Sequence, residues 1–283
     1  MHALPIPASY EFYAELTTAI HLARQAGDLL LSIHRQGPRR IETKNTAVDM
    51  LTEADTASQT LITNAIAARF PDHDIMAEEE GGDKTGSGRV LWLVDPLDGT
   101  TNFASRFPIF AVSIALWVNG RPAIGVVQDV VRERTYWAAS GQGAWMATPE
   151  RLDETRLQTS QTSELNQSLL ATGFPYVRAT AKDNNLAEFN YLMPRARGIR
   201  RAGAAALDQA WVADGRLDGY WEARLSPWDW AAGVLLMLEA GGVVTDYAGN
   251  PWGLGADQMV AANPYLHEKL LTAVQTARRE AGF

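Results

Sequence analysis

Val90-Leu91-Trp92-Leu93-Val94-Asp95-Pro96-Leu97-Asp98-Gly99-Thr100-Thr101-Asn102-Phe103 is the stretch on which the reading of this chain turns. The apolar run Val90–Val94 has the length and composition of a short buried strand. It ends in a carboxylate, a turn-forming proline and a second carboxylate three positions on, and Gly99-Thr100-Thr101 then opens a helix. Two acids crowded at a strand end repel each other unless something positive lies between them. Hard divalent cations take oxygen ligands of this kind. The backbone N–H groups of Gly99, Thr100 and Thr101 would offer a seat for a phosphate beside such a cation. The bland alternative is a turn with an aspartate cap, since Asp, Pro and Gly are ordinary turn residues.

Working outward, the other elements alternate. Apolar residues at helical spacing (Phe12, Leu16, Ile20, Ala23, Ala26, Leu30, Ile33) predict a helix over 9–36, stopped by Gly37-Pro38. A loop from Lys44 leads to a second helix capped by Asp55 and ending near Phe70, before Pro71. A strand over 72–77 runs into Glu78-Glu79-Glu80, and Asp83 to Gly88 forms a polar loop. Residues 109–118 and 122–130 flank Asn119-Gly120 as a hairpin with a type I′ turn. A strand near 135–139 and a turn at 141–143 follow, then a polar seam at about 148–165. Strands near 168–172, 217–222, 243–246 and 259–262 then mix with helices near 182–194, 203–214, 228–240 and 264–279. Alternation without a low-complexity linker favours a layered α/β or α+β unit.

Composition narrows the chemistry. The chain has 283 residues, 46% of them hydrophobic and 20% charged, as in ordinary globular proteins. A net charge of −8 argues against general affinity for nucleic acid or anionic membrane. Cysteine is absent, which removes disulfides, thiolate metal sites and a cysteine nucleophile. The five histidines are scattered, with no spacing for a zinc hydrolase site. No stretch resembles a signal peptide or a membrane span, so a cytoplasmic protein is expected.

Val94-Asp95-Pro96-Leu97-Asp98-Gly99-Thr100-Thr101-Asn102-Phe103 resembles the signature of the inositol monophosphatase family. Trp228-Asp229-Trp230-Ala231-Ala232-Gly233, with Glu239-Ala240-Gly241-Gly242 beyond it, resembles the family's second signature, in the right order. On its own Asp229 reads as a helix-start aspartate, a role compatible with metal ligation. Ala77-Glu78-Glu79 stands where the family usually has Gly-Glu-Glu. Taken alone, those glutamates are a solvated acidic loop.

The resemblance implies a layered αβαβα sandwich of the inositol monophosphatase and fructose bisphosphatase type. It would be a single unit over 1–283, with lobes of about 1–150 for metal and phosphate and 151–283 for substrate selection and Asp229. It implies a Mg²⁺-dependent, lithium-sensitive phosphatase for small monoesters, foremost inositol monophosphate, with two to three ions per site. Glu78, Asp95 and the Leu97 carbonyl would hold the first ion, and Asp95, Asp98 and Asp229 the second. A weaker third would lie near Glu78. One ion activates the attacking water and the other stabilises the leaving oxygen. Thr100, polarised by Asp55, would orient that water with Lys44 nearby, while Gly99 and Thr100 bind phosphate. Otherwise Asp55 is a plain helix cap.

For the alcohol moiety the resemblance implicates Gly203, Ala204, Ala205 and Glu222, together with Asp98 and Asp229. The family commonly carries threonine or serine where this chain has Ala204, so one polar contact is missing. Histidinol phosphate, fructose bisphosphate, adenosine bisphosphate and NADP are the alternative substrates. The expected partners are a small phosphorylated metabolite and a second copy of the chain in a homodimer, without membrane or nucleic acid. Some bacterial relatives act as partners in RNA polymerase antitermination. The basic cluster Arg195, Arg197, Arg200 and Arg201 could dock a protein or nucleic acid, or be a solvated or dimer-facing surface.

Overall fold

The computed structural model describes residues 4–37, 41–43, 50–80, 89–148 and 155–283. Lys44 and the expected loop from Asp83 to Gly88 lie outside them.

Helix α1 (Tyr13–Gln36) precedes a short hairpin of β1 (Ile41–Thr43) and β2 (Met50–Thr52), then α2 (Glu53–Arg69). Next come β3 (Asp74–Ala77), β4 (Val90–Asp98), α3 (Thr100–Ala104), β5 (Ala111–Val118), β6 (Arg121–Asp129), β7 (Arg134–Ala139), β8 (Gly143–Ala147) and β9 (Thr155–Arg156). Strands β3 to β9 form a seven-stranded sheet in chain order, antiparallel except for the parallel β3–β4 pair. The remainder comprises β10 (Leu169–Thr172), α4 (Leu186–Leu192), β11 (Gly198–Arg200), α5 (Ala205–Ala213), β12 (Gly219–Ala223), α6 (Pro227–Glu239), β13 (Val243–Thr245), β14 (Gln258–Ala262) and α7 (His267–Glu280). Its five strands are ordered β11-β10-β12-β14-β13.

Helices α1 and α2 cover one face of the first sheet, α5 and α6 lie between the sheets, and α4 and α7 cover the far face of the second. The layers run α, β, α, β, α, as the resemblance implied. Three buried apolar clusters fill the spaces, and side-chain alternation divides the central strands between two of them. In β4, Trp92 and Val94 point toward α1 and α2 while Leu91 and Leu93 point toward α6. In β12, Tyr220 faces the central layer and Trp221 the outer one. Strands covered on both faces read as continuous apolar runs, which is why these segments were recognisable.

Several boundaries differ from the sequence expectations. Strand β4 does not stop at Val94 but continues through both acids, interrupted by an irregularity in its pairing between Asp95 and Asp98. The cap of α2 is Thr52; Asp55 is the third helical residue, closing a capping box on it. The helix expected over 182–194 shrinks to α4 because Asn185 takes a left-handed conformation (φ 68°) at its start. Strand β9 occupies part of the expected polar seam, β8 lies just before it, and β11 is an edge strand that the sequence pattern did not reveal. The Asn119-Gly120 turn has positive φ at both residues, as a type I′ turn requires.

Candidate active site

The irregularity in β4 sets the geometry of the acids. In a regular strand, residues three apart face opposite sides. Here Asp95 pairs with Ser113 and Asp98 with Ala111, so one more residue intervenes on β4 than on β5. Pro96 sits in that interval, where it has no N–H to give the ladder. The extra residue restores parity. Because Ser113 and Ala111 share a face of β5, Asp95 and Asp98 share one too, the face toward α5 and α6. The Ser58 hydroxyl of α2 fixes the bulge by donating to the Pro96 carbonyl at 2.7 Å.

Three of the acids rest on backbone donors. Asp95 Oδ1 accepts from the Leu97 N–H at 3.0 Å. Asp98 reaches across the central layer, its two oxygens accepting from the Ala205 N–H (3.1 Å) and the Ala206 N–H (2.8 Å) at the start of α5. It supplies the cap that Ala204, the residue at the N-cap, lacks. Asp229 is the third residue of α6 and closes a capping box with Ser226, whose N–H donates to Oδ2 at 2.7 Å. Glu78 begins a short 3₁₀ turn at the end of β3, held by Gln59 Oε1, which accepts from the Glu79 N–H at 2.9 Å.

Burial and mutual repulsion raise the carboxyls of Asp95, Asp98 and Asp229 above the ordinary range. Burial acts first on Asp95, followed by the charges of Glu78, Asp98 and Asp229. Asp98 is pushed up to about 7 by burial, against the pull of the Ala206 and Ala205 amides, with Glu78 adding to the rise. Asp229 is raised by burial and by Glu78, while the Ser226 amide opposes. No basic side chain figures among the leading influences on any of the three. Hard oxygen donors with unbalanced charge fit a divalent cation such as Mg²⁺. Among the described residues, no group of three or more His, Asp or Glu side chains lies gathered closely enough to hold a metal as it stands.

Beside these acids, Asp55 is fully buried. Its Oδ2 accepts from the Thr52 N–H (2.8 Å) and hydroxyl (2.6 Å), and its Oδ1 lies 2.9 Å from Thr100 Oγ1. The Thr100 hydroxyl is also 3.1 Å from the Leu97 carbonyl, so its single proton is directed at one of two acceptors. That leaves its lone pairs available to accept. Gly99, at φ 91°, makes the left-handed turn from β4 into α3 that brings Thr100 over Asp55. The structure thus joins Asp55 to Thr100.

A cavity of about 360 Å³ opens from this point toward the second sheet. Asp98, Gly99 and Asp229 line its inner end; Gly203, Ala204, Ala205 and Glu222 line its wall. Glu222 accepts from the Tyr220 hydroxyl at 2.5 Å. Burial pushes Glu222 up to about 7, opposed by the Tyr220 hydrogen bond and Arg201, with Asp98 raising it further. A Cβ on Gly173 would collide with the Glu222 carboxylate, so this glycine makes room for it. A larger hollow of about 980 Å³ on the outer side of α2, lined by residues such as Leu29, Thr56 and Leu61, contains none of the expected metal or substrate residues.

Sequence reasoning missed three contributors. Asn102 uses its side-chain amide to donate to the Ile109 and Ala202 carbonyls, both at 2.8 Å, tying the first signature to the Gly203 segment. All four arginines are exposed; Arg201 lines the cavity, whereas Arg195, Arg197 and Arg200, at and near β11, do not. Asp208, one helical turn beyond Ala205, also lines the cavity, and that spacing was its available signal.

A profile of the inositol monophosphatase family matches residues 13–279. An inositol-1-monophosphatase from Synechocystis is 40% identical over 268 residues, covering 95% of this chain and 90% of its own length. A protein named Nus factor SuhB from Pseudomonas aeruginosa is 44% identical over 266 residues, covering 92% of this chain and 95% of its own. Among solved structures, an inositol monophosphatase from Anabaena superposes with a TM-score of 0.82 at 41% identity, covering 93% of this chain and 96% of that one.

Proposed function

Because this chain belongs to the inositol monophosphatase family, we propose that it is a Mg²⁺-dependent phosphatase hydrolysing small phosphate monoesters, foremost inositol monophosphate. The observation that carries the reading is the β4 bulge, which turns Asp95 and Asp98 to one face beside Asp229 and Glu78 without a basic side chain among their leading influences. Glu78, Asp95 and the Leu97 carbonyl would hold one Mg²⁺, Asp95, Asp98 and Asp229 a second, with a weaker third site near Glu78. Bound there, the ions supply a lowered pKa for the attacking water and positive charge for the leaving oxygen.

The protein's own contribution is orientation. Thr100, donating to Asp55, offers a lone pair to the proton of the attacking water and fixes its direction. Asp55, held by Thr52, keeps the threonine in that role. Gly99 and Thr100 present the phosphate, while Gly203, Ala204, Ala205 and Glu222 receive the hydroxyls of the alcohol. Phosphoryl transfer asks little beyond such positioning and charge neutralisation, so the absence of cysteine and of clustered histidine is no obstacle. The same reading extends to a cytoplasmic homodimer inhibited by millimolar lithium, uncompetitively with respect to substrate. No helix among the described residues is long and apolar enough to cross a membrane.

Release of phosphate from a panel of monoesters, with and without Mg²⁺, tests the proposal. Activity on inositol monophosphate that vanishes in chelator supports it; no hydrolysis of any ester in Mg²⁺ would overturn it. A second role, as a partner in a transcription complex, is favoured by the SuhB relatives and the exposed arginines near β11. That role would survive Asp98→Asn and fail on reversing the charges of Arg197 and Arg200, read out by binding to RNA polymerase.

A further inference from the structure

Gln209 is wholly buried (0% exposed) in the second turn of α5, and it does not line the substrate cavity. Its side-chain Nε2 donates to the Asp229 carbonyl at 3.0 Å. That carbonyl lies in the first turn of α6, where the helix already pairs it with the N–H of Gly233, four residues on. Gly233 is what admits the amide: a Cβ there would fall 2.7 Å from both Cβ and Cδ of Gln209 and would overlap its Oε1. That Oε1 is itself buried and has no hydrogen-bond partner among the described residues. An amide with one oxygen left unpaired out of water costs more than an apolar side chain filling the same space. Packing alone would favour methionine or leucine here. What the amide adds is one directed bond, and it goes to the residue that carries a proposed metal ligand.

We propose that Gln209 is a positioning residue for the second Mg²⁺ site, fixing the start of α6, and with it Asp229, against Asp98. The inference rests on the metal assignment under the phosphatase reading and adds to it a residue that touches neither ion nor substrate. Helix α5 is the common mount. Its Ala205 and Ala206 amides hold the two oxygens of Asp98. Gln209, four residues beyond Ala205 and so on the same side of the helix, holds the Asp229 backbone. The two acids come from different elements, β4 and α6, so the span between them is set by what each is tied to. The Asp229 carboxylate is fixed in its turn by the Ser226 N–H, which makes the place of the α6 backbone the place of the ligand. Metal ligands must sit within about 0.2 Å of their proper distances. Groups that hold a ligand in place commonly contribute roughly ten- to a hundredfold in metal affinity.

The test titrates Mg²⁺ by calorimetry into chelator-stripped wild type and Gln209→Met, whose unbranched side chain keeps nearly the same length without the donor. Affinity for Mg²⁺ should fall about tenfold in the variant. Should the methionine variant fail to fold, Gln209→Leu carries the same comparison. Unchanged affinity, with or without a loss of urea stability, would make Gln209 a plain packing residue and overturn the inference. Ser168→Ala controls for general loosening: it removes a buried hydroxyl bonded to the Leu165 carbonyl at 2.7 Å, outside the cavity, and should keep the wild-type affinity. An equal fall in that control would refute the assignment to Gln209. In an Asp98→Asn background, where the second ion has already lost a ligand, Gln209→Met should cost less than about twofold. A full tenfold cost there would place its effect elsewhere and defeat the proposal. Wild-type protein that takes up no Mg²⁺ would sink the metal assignment and this inference with it, whereas uptake of Mg²⁺ without hydrolysis of any ester would count against the phosphatase reading alone.

Discussion

Replacing Glu222 by glutamine preserves the shape of the side chain and an acceptor for the Tyr220 hydroxyl while removing a charge. The carboxyl sits at about 7 in the folded protein against an ordinary 4.5, burial being the main cause. Between those values the folded chain holds a proton that the unfolded chain has released. Stability from this group is therefore fully present below the unfolded value and is lost as pH rises through the folded one. From pH 5.5 to pH 8 a group shifted this far costs roughly 2 kcal/mol. Part of the Glu222 side chain remains open to the cavity, so screening by solvent makes that an upper figure. Urea unfolding of both proteins in chelator, at pH 5.5 and at pH 8, reads the effect as the change in the difference between the pair. The glutamine variant should gain up to about 2 kcal/mol on the wild type between the two conditions. A stability difference that is the same at both pH values would refute the reasoning.

Asp98→Asn should lower turnover in Mg²⁺ by ~10²–10³, because an amide oxygen brings no charge to the proposed second ion; retention of a tenth of the activity would show the ligand assignment to be wrong. Gly173→Ala drives a methyl group into the Glu222 carboxylate and should raise KM for the inositol ester about tenfold, more than for ethyl phosphate. Equal effects on both esters would mean that Glu222 does not meet the alcohol. Arg278→Ala leaves Glu188, 1% exposed, without the guanidinium 2.7 Å from its Oε1 and releases Asp183 at the same distance. A loss of about 3 kcal/mol in thermal or urea unfolding is expected, and a loss under 1 kcal/mol would show the network to be dispensable.

The acids of the two signatures were legible because residue type and order carry them, and Asp229 was recognisable at its helix start. That Asp95 and Asp98 face the same way was not legible. An offset of three in a strand argues the reverse, and only the pairing of β4 with β5 reveals the extra residue. The pattern Thr52-x-x-Asp55 could be read as a cap with either residue in the lead, and the fold chose threonine. Asp208 looked like any acid on an amphipathic helix, since only the fold shows it to be buried and set along the same cavity as Glu222 of β12. Ala204 was noted for a missing hydroxyl, and its neighbourhood explains how α5 manages without one: Asp98 caps the helix from another sheet.

That borrowed cap ties two inheritances together. The wall from Gly173 to Val177 is backed by Asn185, which donates to the Gly173 carbonyl at 2.5 Å and accepts from the Trp221 indole of β12 at 2.7 Å. Beyond Gly173 such a wall can be rewritten, and a new alcohol admitted, with Asp95, Asp98 and Asp229 undisturbed. The start of α5 has no such freedom. Any drift of that helix along its axis drags the Asp98 carboxylate with it, so diversification of this scaffold should run through the wall and leave the junction between β4 and α5 fixed.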